Sequence, residues 1–283
     1  MSGDERAIAT TWARYWRSHG QEVGSWDSLS HTIYLALRRE IGEARGKSIL
    51  EAGCGSGRIS ARLAADGARV TCLDIAPEAL ELARRAFASD ASVRFVQGSI
   101  LSLPRDARYD VVWSSGLLEH FGPEDRRRAL RESASMVGPG GLIVAFTPYA
   151  RSVLYRLGKV VLERLGKWPY GREVPVVTLA DDVPSTARLV REYTVAFLPL
   201  ALDLYKWVRA ARPVCLVCTR LLMRVAGDRG WARLDRALSF LLGGYLLVTV
   251  VAPRRSAEED ATSSRDASEG AAACCGRPEE RHR

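Results

Sequence analysis

The run Ile49-Leu50-Glu51-Ala52-Gly53-Cys54-Gly55-Ser56-Gly57-Arg58-Ile59-Ser60 constrains the fold more than any other part of this 283-residue chain. An apolar strand enters Gly-x-Gly-x-Gly and a helix leaves it. Glycine at the end of a parallel strand tolerates positive φ and lets a ligand approach the backbone without meeting a Cβ atom. A second apolar run, Val70-Thr71-Cys72-Leu73-Asp74, ends in a carboxylate about twenty residues after the loop, where such folds hold ribose hydroxyls. Together the two features predict an enzyme that binds a nucleotide-like cofactor.

Around this centre, strands and helices alternate. The pattern predicts strands at 47–52, 69–74, 93–96, 109–114 and 141–147 and helices at 57–65, 77–88 and 123–136. Pro77 at a helix start and the Gly138-Pro139-Gly140-Gly141 turn punctuate the order. Such alternation argues for an α/β fold, a parallel sheet with helices on both faces. Two helices within 4–45 precede the first strand. After Pro148 come a basic amphipathic stretch at 151–167, a loop through Trp168-Pro169-Tyr170-Gly171 and a strand at 193–197. Two or three helices between 199 and 241 and a final strand at 245–252 complete the expectation. The uncharged stretch Ala237–Ala252 is shorter than the ~20 residues a bilayer-spanning helix needs. The tail from Pro253 is poor in large apolar residues and reads as disordered.

At 47% hydrophobic and 26% charged residues, the chain can bury a large core. Its net charge of +8 is carried by the middle: Arg and Lys number 19 against 18 acids in 1–150, but 16 against 8 in 151–236. A basic, apolar-rich segment suits an anionic substrate, a membrane surface or nucleic acid, or is simply a solvated Arg-rich helical surface. Met1-Ser2-Gly3-Asp4-Glu5-Arg6 does not begin a signal peptide, so an intracellular, cytoplasmic protein is expected. The cysteines at 54, 72, 215, 218, 274 and 275 do not read as a disulfide framework. Cys215-Leu216-Val217-Cys218 has no second ligand pair nearby, so no metal is expected.

The loop is Gly-x-Gly-x-Gly and not Gly-x-Gly-x-x-Gly, which weakens the case for a dinucleotide pyrophosphate. At this point the chain resembles the class I S-adenosylmethionine-dependent methyltransferases, in order from about Lys47 to Pro148. Five stretches carry the resemblance: Glu51–Gly57, Leu73-Asp74, Phe95-Val96-Gln97-Gly98-Ser99, Asp110–His120 and Val137-Gly138-Pro139-Gly140-Gly141. It implies a Rossmann-like, doubly wound, mostly parallel seven-stranded sheet and S-adenosyl-L-methionine as cofactor. A helical lid over 1–45, a core over 46–148, an acceptor-recognition segment over 149–241, a last strand over 242–252 and a tail over 253–283 would follow.

By the same resemblance Gly53, Gly55 and Gly57 pass the methionine part of the cofactor and Glu51 holds its ammonium. Asp74 accepts both ribose hydroxyls, with Ile75 beside it; two carboxylate oxygens match two donors. Many relatives carry an Asp toward the adenine amino group where this chain has Ser99; a serine hydroxyl can still accept that bond, and Ile100 can pack on the ring. Ser114 and Ser115 form the floor beneath the sulfonium. His120 has the pKa range of a general base for a hydroxyl or amine, although bracing the following loop is an equally open role. A metal-binding Glu-x-x-Glu-His pattern is broken by Gly116. Methyl transfer depends chiefly on in-line positioning of a reactive donor.

The segments flanking the core are aromatic. Trp12, Tyr15, Trp16, Trp26 and Tyr34 are candidates for a lid facing Tyr149, Tyr155, Trp168 and Tyr170, or for plain core contacts. In 151–167, Val153, Leu154, Leu157, Val160, Val161 and Leu165 interleave with Arg and Lys, which suits either an anionic membrane surface or the roof of an apolar acceptor pocket. A small, hydrophobic or anionic acceptor is expected, methylated on oxygen, nitrogen or carbon, with peripheral membrane contact as an accompanying role and no nucleic acid. An RNA or protein methyltransferase and a non-catalytic binding protein are the alternatives; no Asn-Pro-Pro-Tyr-type motif or RNA-binding module supports the former.

Overall fold

β1 (Ser48–Ala52) is buried from Ile49 onward because it is an interior strand of a seven-stranded sheet. On one side lie β2 (Arg69–Asp74) and β3 (Arg94–Gln97). On the other lie β4 (Tyr109–Ser115), β5 (Val137–Pro148), and then β7 (Leu246–Pro253) before the edge strand β6 (Ala187–Val195). The first five strands are parallel; β7 runs antiparallel to both β5 and β6. The chain moves outward from β1 in one direction and returns to begin again at β4, so the crevice of the sheet opens at the carboxyl ends of β1 and β4. This computed structural model describes residues 3–19, 26–87, 93–103, 105, 107–202 and 212–254; the tail, with Cys274 and Cys275, lies outside the described residues.

Alternate strand residues face two core layers. Ile49, Val70, Val111 and Val144 pack against α2 (Ser28–Ile41), α3 (Arg58–Ala65) and α4 (Pro77–Ala86). Leu50, Leu73, Val112 and Ile143 pack on the opposite face with α5 (Pro123–Met136). Burial on both faces is why these strands read as continuous apolar runs. Asp27 caps α2, accepting from the Ser30 N–H at 2.7 Å, and Pro77 and Pro123 open α4 and α5. α1 (Gly3–His19) lies ahead of α2 and touches α4.

Two boundaries and the buried face of one helix add to what the pattern shows. The Gly138–Gly141 stretch lies inside β5 as a bulge: Tyr109 pairs with Val137 and Val111 with Leu142. Gly141 is required there, since a Cβ would stand 2.6 Å from the Asp110 carbonyl oxygen. β6 begins at Ala187 and not at 193 because it is an edge strand, where Arg188 and Arg191 are tolerated and mask the strand pattern. In α6 (Val153–Arg164) Tyr155, Gly158 and Lys159 are the buried residues, while Val153 and Leu157 stand 64% and 62% exposed.

α7 (Phe197–Leu202) and α8 (Arg212–Leu242) cover the β6 end, α8 breaking at Gly227 with φ 60° and ψ 178°. Asp235 ties the two together, accepting from the Ala196 and Leu198 N–H groups at 2.8 Å each. Trp231 is fully buried and donates Nε1–H to Thr32 Oγ1 at 2.8 Å, locking α8 to α2. No helix among the described residues is long and apolar enough to cross a membrane. Replacing Trp231 by Ala is expected to cost about 3–5 kcal/mol of unfolding free energy, measured by denaturant titration.

Candidate functional site

The glycine loop closes at the carboxyl end of β1 because Asp74, at the end of β2, reaches across to it. Asp74 Oδ2 accepts the Gly55 N–H at 2.9 Å and Oδ1 accepts the Ala76 N–H at 2.9 Å. Each oxygen keeps a further lone pair for an outside donor. Burial raises the Asp74 pKa, against the backbone donors of Ala76 and Gly55. Gly53 and Gly55 have φ of 69° and 52°. A Cβ at Gly53 would meet Leu117 at 3.1 Å, and one at Gly55 would meet the Trp16 ring at 2.6 Å. Gly57 plays a different part: it caps α3, and its missing Cβ makes room for Ala83 and Phe87.

Two adjoining cavities open at this crevice. The smaller, about 90 Å³, holds Asp74, Ile75, Gly98, Ser99 and Ile100. The wider, about 240 Å³, holds Glu51, Gly55, Arg58, Glu119, His120 and Glu173. Gly53, Ser115, Gly116, Trp12 and Trp16 line both. Joined, they reach the lower end of the ~300–1,000 Å³ usual for small-molecule sites. Ser115 is therefore at the shared wall, whereas Ser114 is buried in β4 and lines neither cavity.

The wider cavity is acidic. Glu51 and Glu119 are 5% and 3% exposed, and the Oε2 atom of each has no hydrogen-bond partner. Burial pushes both pKa values up to about 8, Glu119 being raised further by the Glu173 charge. His120 Nδ1 lies 3.0 Å from the Arg172 carbonyl oxygen, which can only accept, so Nδ1 carries the proton and Nε2 a lone pair. Burial lowers the His120 pKa, so the imidazole is neutral at pH 7. His120 Nε2 stands 3.9 Å from Glu119 Oε1. The Val174 N–H donates to the Glu119 carbonyl at 2.7 Å, so the Arg172–Val174 strand of chain is sewn to Glu119-His120.

Aromatic side chains from both flanking segments meet over the wider cavity. Tyr15 and Tyr170 have ring centroids 5.3 Å apart, Trp12 and His120 5.2 Å, and Trp168 and Tyr170 5.0 Å. Tyr155 donates to Glu173 Oε2 at 2.6 Å and packs on Tyr245 at 4.7 Å. Trp26 and Tyr34 are elsewhere, packed on each other at 5.9 Å, with Tyr34 bonded to Asp66. Tyr149 packs against the α5 layer. Glu5, Glu173 and Tyr245 join the site without any signal in the sequence, as isolated residues on segments with no motif, whereas Leu117 lies within the Asp110–His120 stretch, which does not single it out.

Known proteins similar to this chain are methyltransferases. Residues 49–141 match the family described as Methyltransferase domain. The chain is 32% identical over 179 residues to an uncharacterized methyltransferase of Mycobacterium bovis, covering 62% of this chain and 88% of that one. It is 34% identical over 155 residues to the malonyl-acyl-carrier-protein O-methyltransferase of Pseudescherichia vulneris, covering 54% of this chain and 58% of the relative, so the chain spans little more than half of that protein's length. The fold is similar to magnesium protoporphyrin IX methyltransferase from Synechocystis, solved with bound SAH, at TM-score 0.52 and 19% identity over 67% of this chain and 91% of that one.

The two raised carboxyls make stability pH-dependent. A glutamate with folded pKa about 8 and unfolded pKa near 4.5 contributes stability that is present below pH 4.5 and lost as pH rises through 8. Glu51→Gln and Glu119→Gln are each expected to raise Tm by a few degrees at pH 8 and to change it less at pH 5, read from thermal melts at the two pH values.

Proposed function

Because this chain belongs to the class I S-adenosylmethionine-dependent methyltransferase family, we propose that it transfers a methyl group from S-adenosyl-L-methionine to a hydroxyl of a small, largely apolar acceptor held beneath α1 and the 168–173 loop. One observation carries this: Gly53, Ser115 and Gly116 line both cavities, so a ligand seated along Asp74 presents its far end to the cavity that holds His120. The bound cofactor supplies an electrophilic methyl group on sulfur.

The residues fit that cofactor. Glu51 is a buried carboxylate with an unpartnered oxygen, a ready partner for an ammonium group. Gly53 and Gly55 line the wider cavity, and their missing Cβ atoms let Leu117 and the Trp16 ring close against the loop. Asp74 keeps lone pairs for two ribose hydroxyls. Ile75, Ser99 and Ile100 flank it for the base. Ser115 is assigned to the floor under the transferred methyl group, and Gly57 and Ser114 to packing.

On the acceptor side, Glu51 and Glu119 are largely protonated at pH 7 and act as polar groups more than as charges, and the clustered, mutually tilted rings of Trp12, Tyr15 and Tyr170 favour an aromatic or otherwise apolar acceptor. Neutral His120, its Nδ1–H held by Arg172, offers Nε2 to take the hydroxyl proton as the oxygen is methylated. Closure of the aromatic wall would exclude water and hold the acceptor in line.

α6 supports an accompanying role at a membrane. It places Lys159 inside, 2.7 Å from Glu163, and turns Val153, Leu157 and Val161 to solvent beside Arg156 and Arg164. An apolar face rimmed by cations suits the headgroup region of an anionic bilayer.

Calorimetric titration is expected to give micromolar binding of S-adenosylhomocysteine and none of NAD. With a panel of phenols, catechols and hydroxyquinones against malonyl thioesters, S-adenosylhomocysteine release is expected for a hydroxylated acceptor. His120→Ala is expected to lower kcat by about 10²–10⁴-fold, and the wild-type acid limb to fall below pH 6.5, as the lowered His120 pKa requires. Unchanged turnover in His120→Ala would make His120 a loop brace. Sedimentation with phosphatidylglycerol vesicles is expected to carry the protein down, and Leu157→Asp with Val161→Asp to reduce that binding about tenfold; equal binding to pure phosphatidylcholine would remove the electrostatic part.

A further inference from the structure

The smaller cavity contains a carboxylate that comes from outside the methyltransferase core. Glu5, on the first turn of α1, is 7% exposed and lines the cavity with Asp74, Gly98 and Ser99. Ser99 Oγ donates its proton to Glu5 Oε1 at 2.7 Å and accepts the Leu101 N–H at 3.1 Å. The hydroxyl has one proton, and that proton is committed to the carboxylate. Ser99 therefore acts as a brace that aims Glu5, and the strong acceptor at this end of the cavity is the α1 carboxylate.

Ile8, Leu73, Ile100, Leu117 and Phe121 form the apolar walls. An apolar slot with one carboxylate at its end suits a flat heterocycle whose edge carries an N–H donor. Asp74 marks where a ribose sits, so the base attached to that ribose extends toward Gly98, Ser99 and Glu5. We propose that Glu5 is the residue that reads the base of the cofactor, accepting a hydrogen bond from the adenine amino group; this rests on the methyltransferase assignment above. The Ser99 bond takes one of the carboxylate's about four acceptor sites. A base with a carbonyl oxygen at the same edge would face the carboxylate lone pairs and be rejected.

Glu5 rides on the helix that carries Trp12, Tyr15 and Trp16, and these rings wall the acceptor cavity. The group that reads the base and the rings that wall the acceptor cavity are therefore carried by one helix.

The test is titration of the full chain with S-adenosylhomocysteine and with S-inosylhomocysteine, which differ only at that edge of the base. The wild-type chain is expected to favour the adenosyl compound by about tenfold or more, the range of a hydrogen bond to a charged acceptor. Glu5→Gln is expected to bring the ratio near unity, because an amide accepts from an amine and donates to a carbonyl. Ser99→Ala is expected to narrow it partway. Asp74→Ala is expected to weaken both ligands with the ratio kept. A ratio unmoved in Glu5→Gln, including equal loss of both ligands through undocking of α1, would overturn this proposal alone. Failure of the wild-type chain to bind either compound would overturn the methyltransferase assignment and this proposal with it.

Discussion

The Asp74 carboxylate is the joint from which the rest of the site hangs. It joins the end of β2 to the glycine loop after β1 through the Gly55 N–H, and it opens the turn into α4 through the Ala76 N–H. Two adjacent parallel strands thus end in one hydrogen-bonded unit. That unit is held by the sheet register that sets Glu51 against Cys72 and Ala52 against Leu73. A site built on strand ends is positioned by the whole core, because moving either strand would break packing on both faces.

On this rigid frame the flanking segments supply the other half of the site. α1 brings Glu5, Trp12, Tyr15 and Trp16; the chain after α6 brings Tyr170 and Glu173. The second group is fastened by a backbone bond from the Val174 N–H to the Glu119 carbonyl and by the His120 Nδ1–H to the Arg172 carbonyl. These bonds also fix the His120 tautomer. Buried Glu51 and Glu119, largely protonated at pH 7, each leave an unpartnered oxygen that a bound cation or hydrogen-bond donor would satisfy. Sites of this kind trade stability for binding, and the raised carboxyl pKa values are the mark of that trade.

Much of the core was legible in the sequence. Strands buried on both faces leave continuous apolar runs, and Pro77, Pro123 and the glycine loop punctuate them, so β1 to β5 and α3 to α5 fall close to where their patterns place them. The edge strand β6 was partly hidden because solvent exposure admits charges at alternate positions. Gly138–Gly141 carries the composition of a turn, yet it is a bulge, since Val137 and Leu142 both pair with β4. The cofactor-type residues Gly53, Gly55, Asp74, Ile75, Ser99, Ile100 and Ser115 do converge, and so does Glu51 in the adjoining cavity.

The sequence by itself determined the α/β order, the glycine loop and the acid at the end of β2, because these depend on local backbone conformation and on spacing along the chain. Only the tertiary structure decided which of three nearby glycines packs a helix, which of two serines reaches the cavity, and which aromatics form the wall. It also brought Glu5 to Ser99 and Glu173 to Tyr155, pairs separated by 94 and 18 positions. The physical reason is that burial, proton position and carboxyl pKa are set by neighbours in space. For isolated residues on helices without a motif, nothing in the chain order records who those neighbours are.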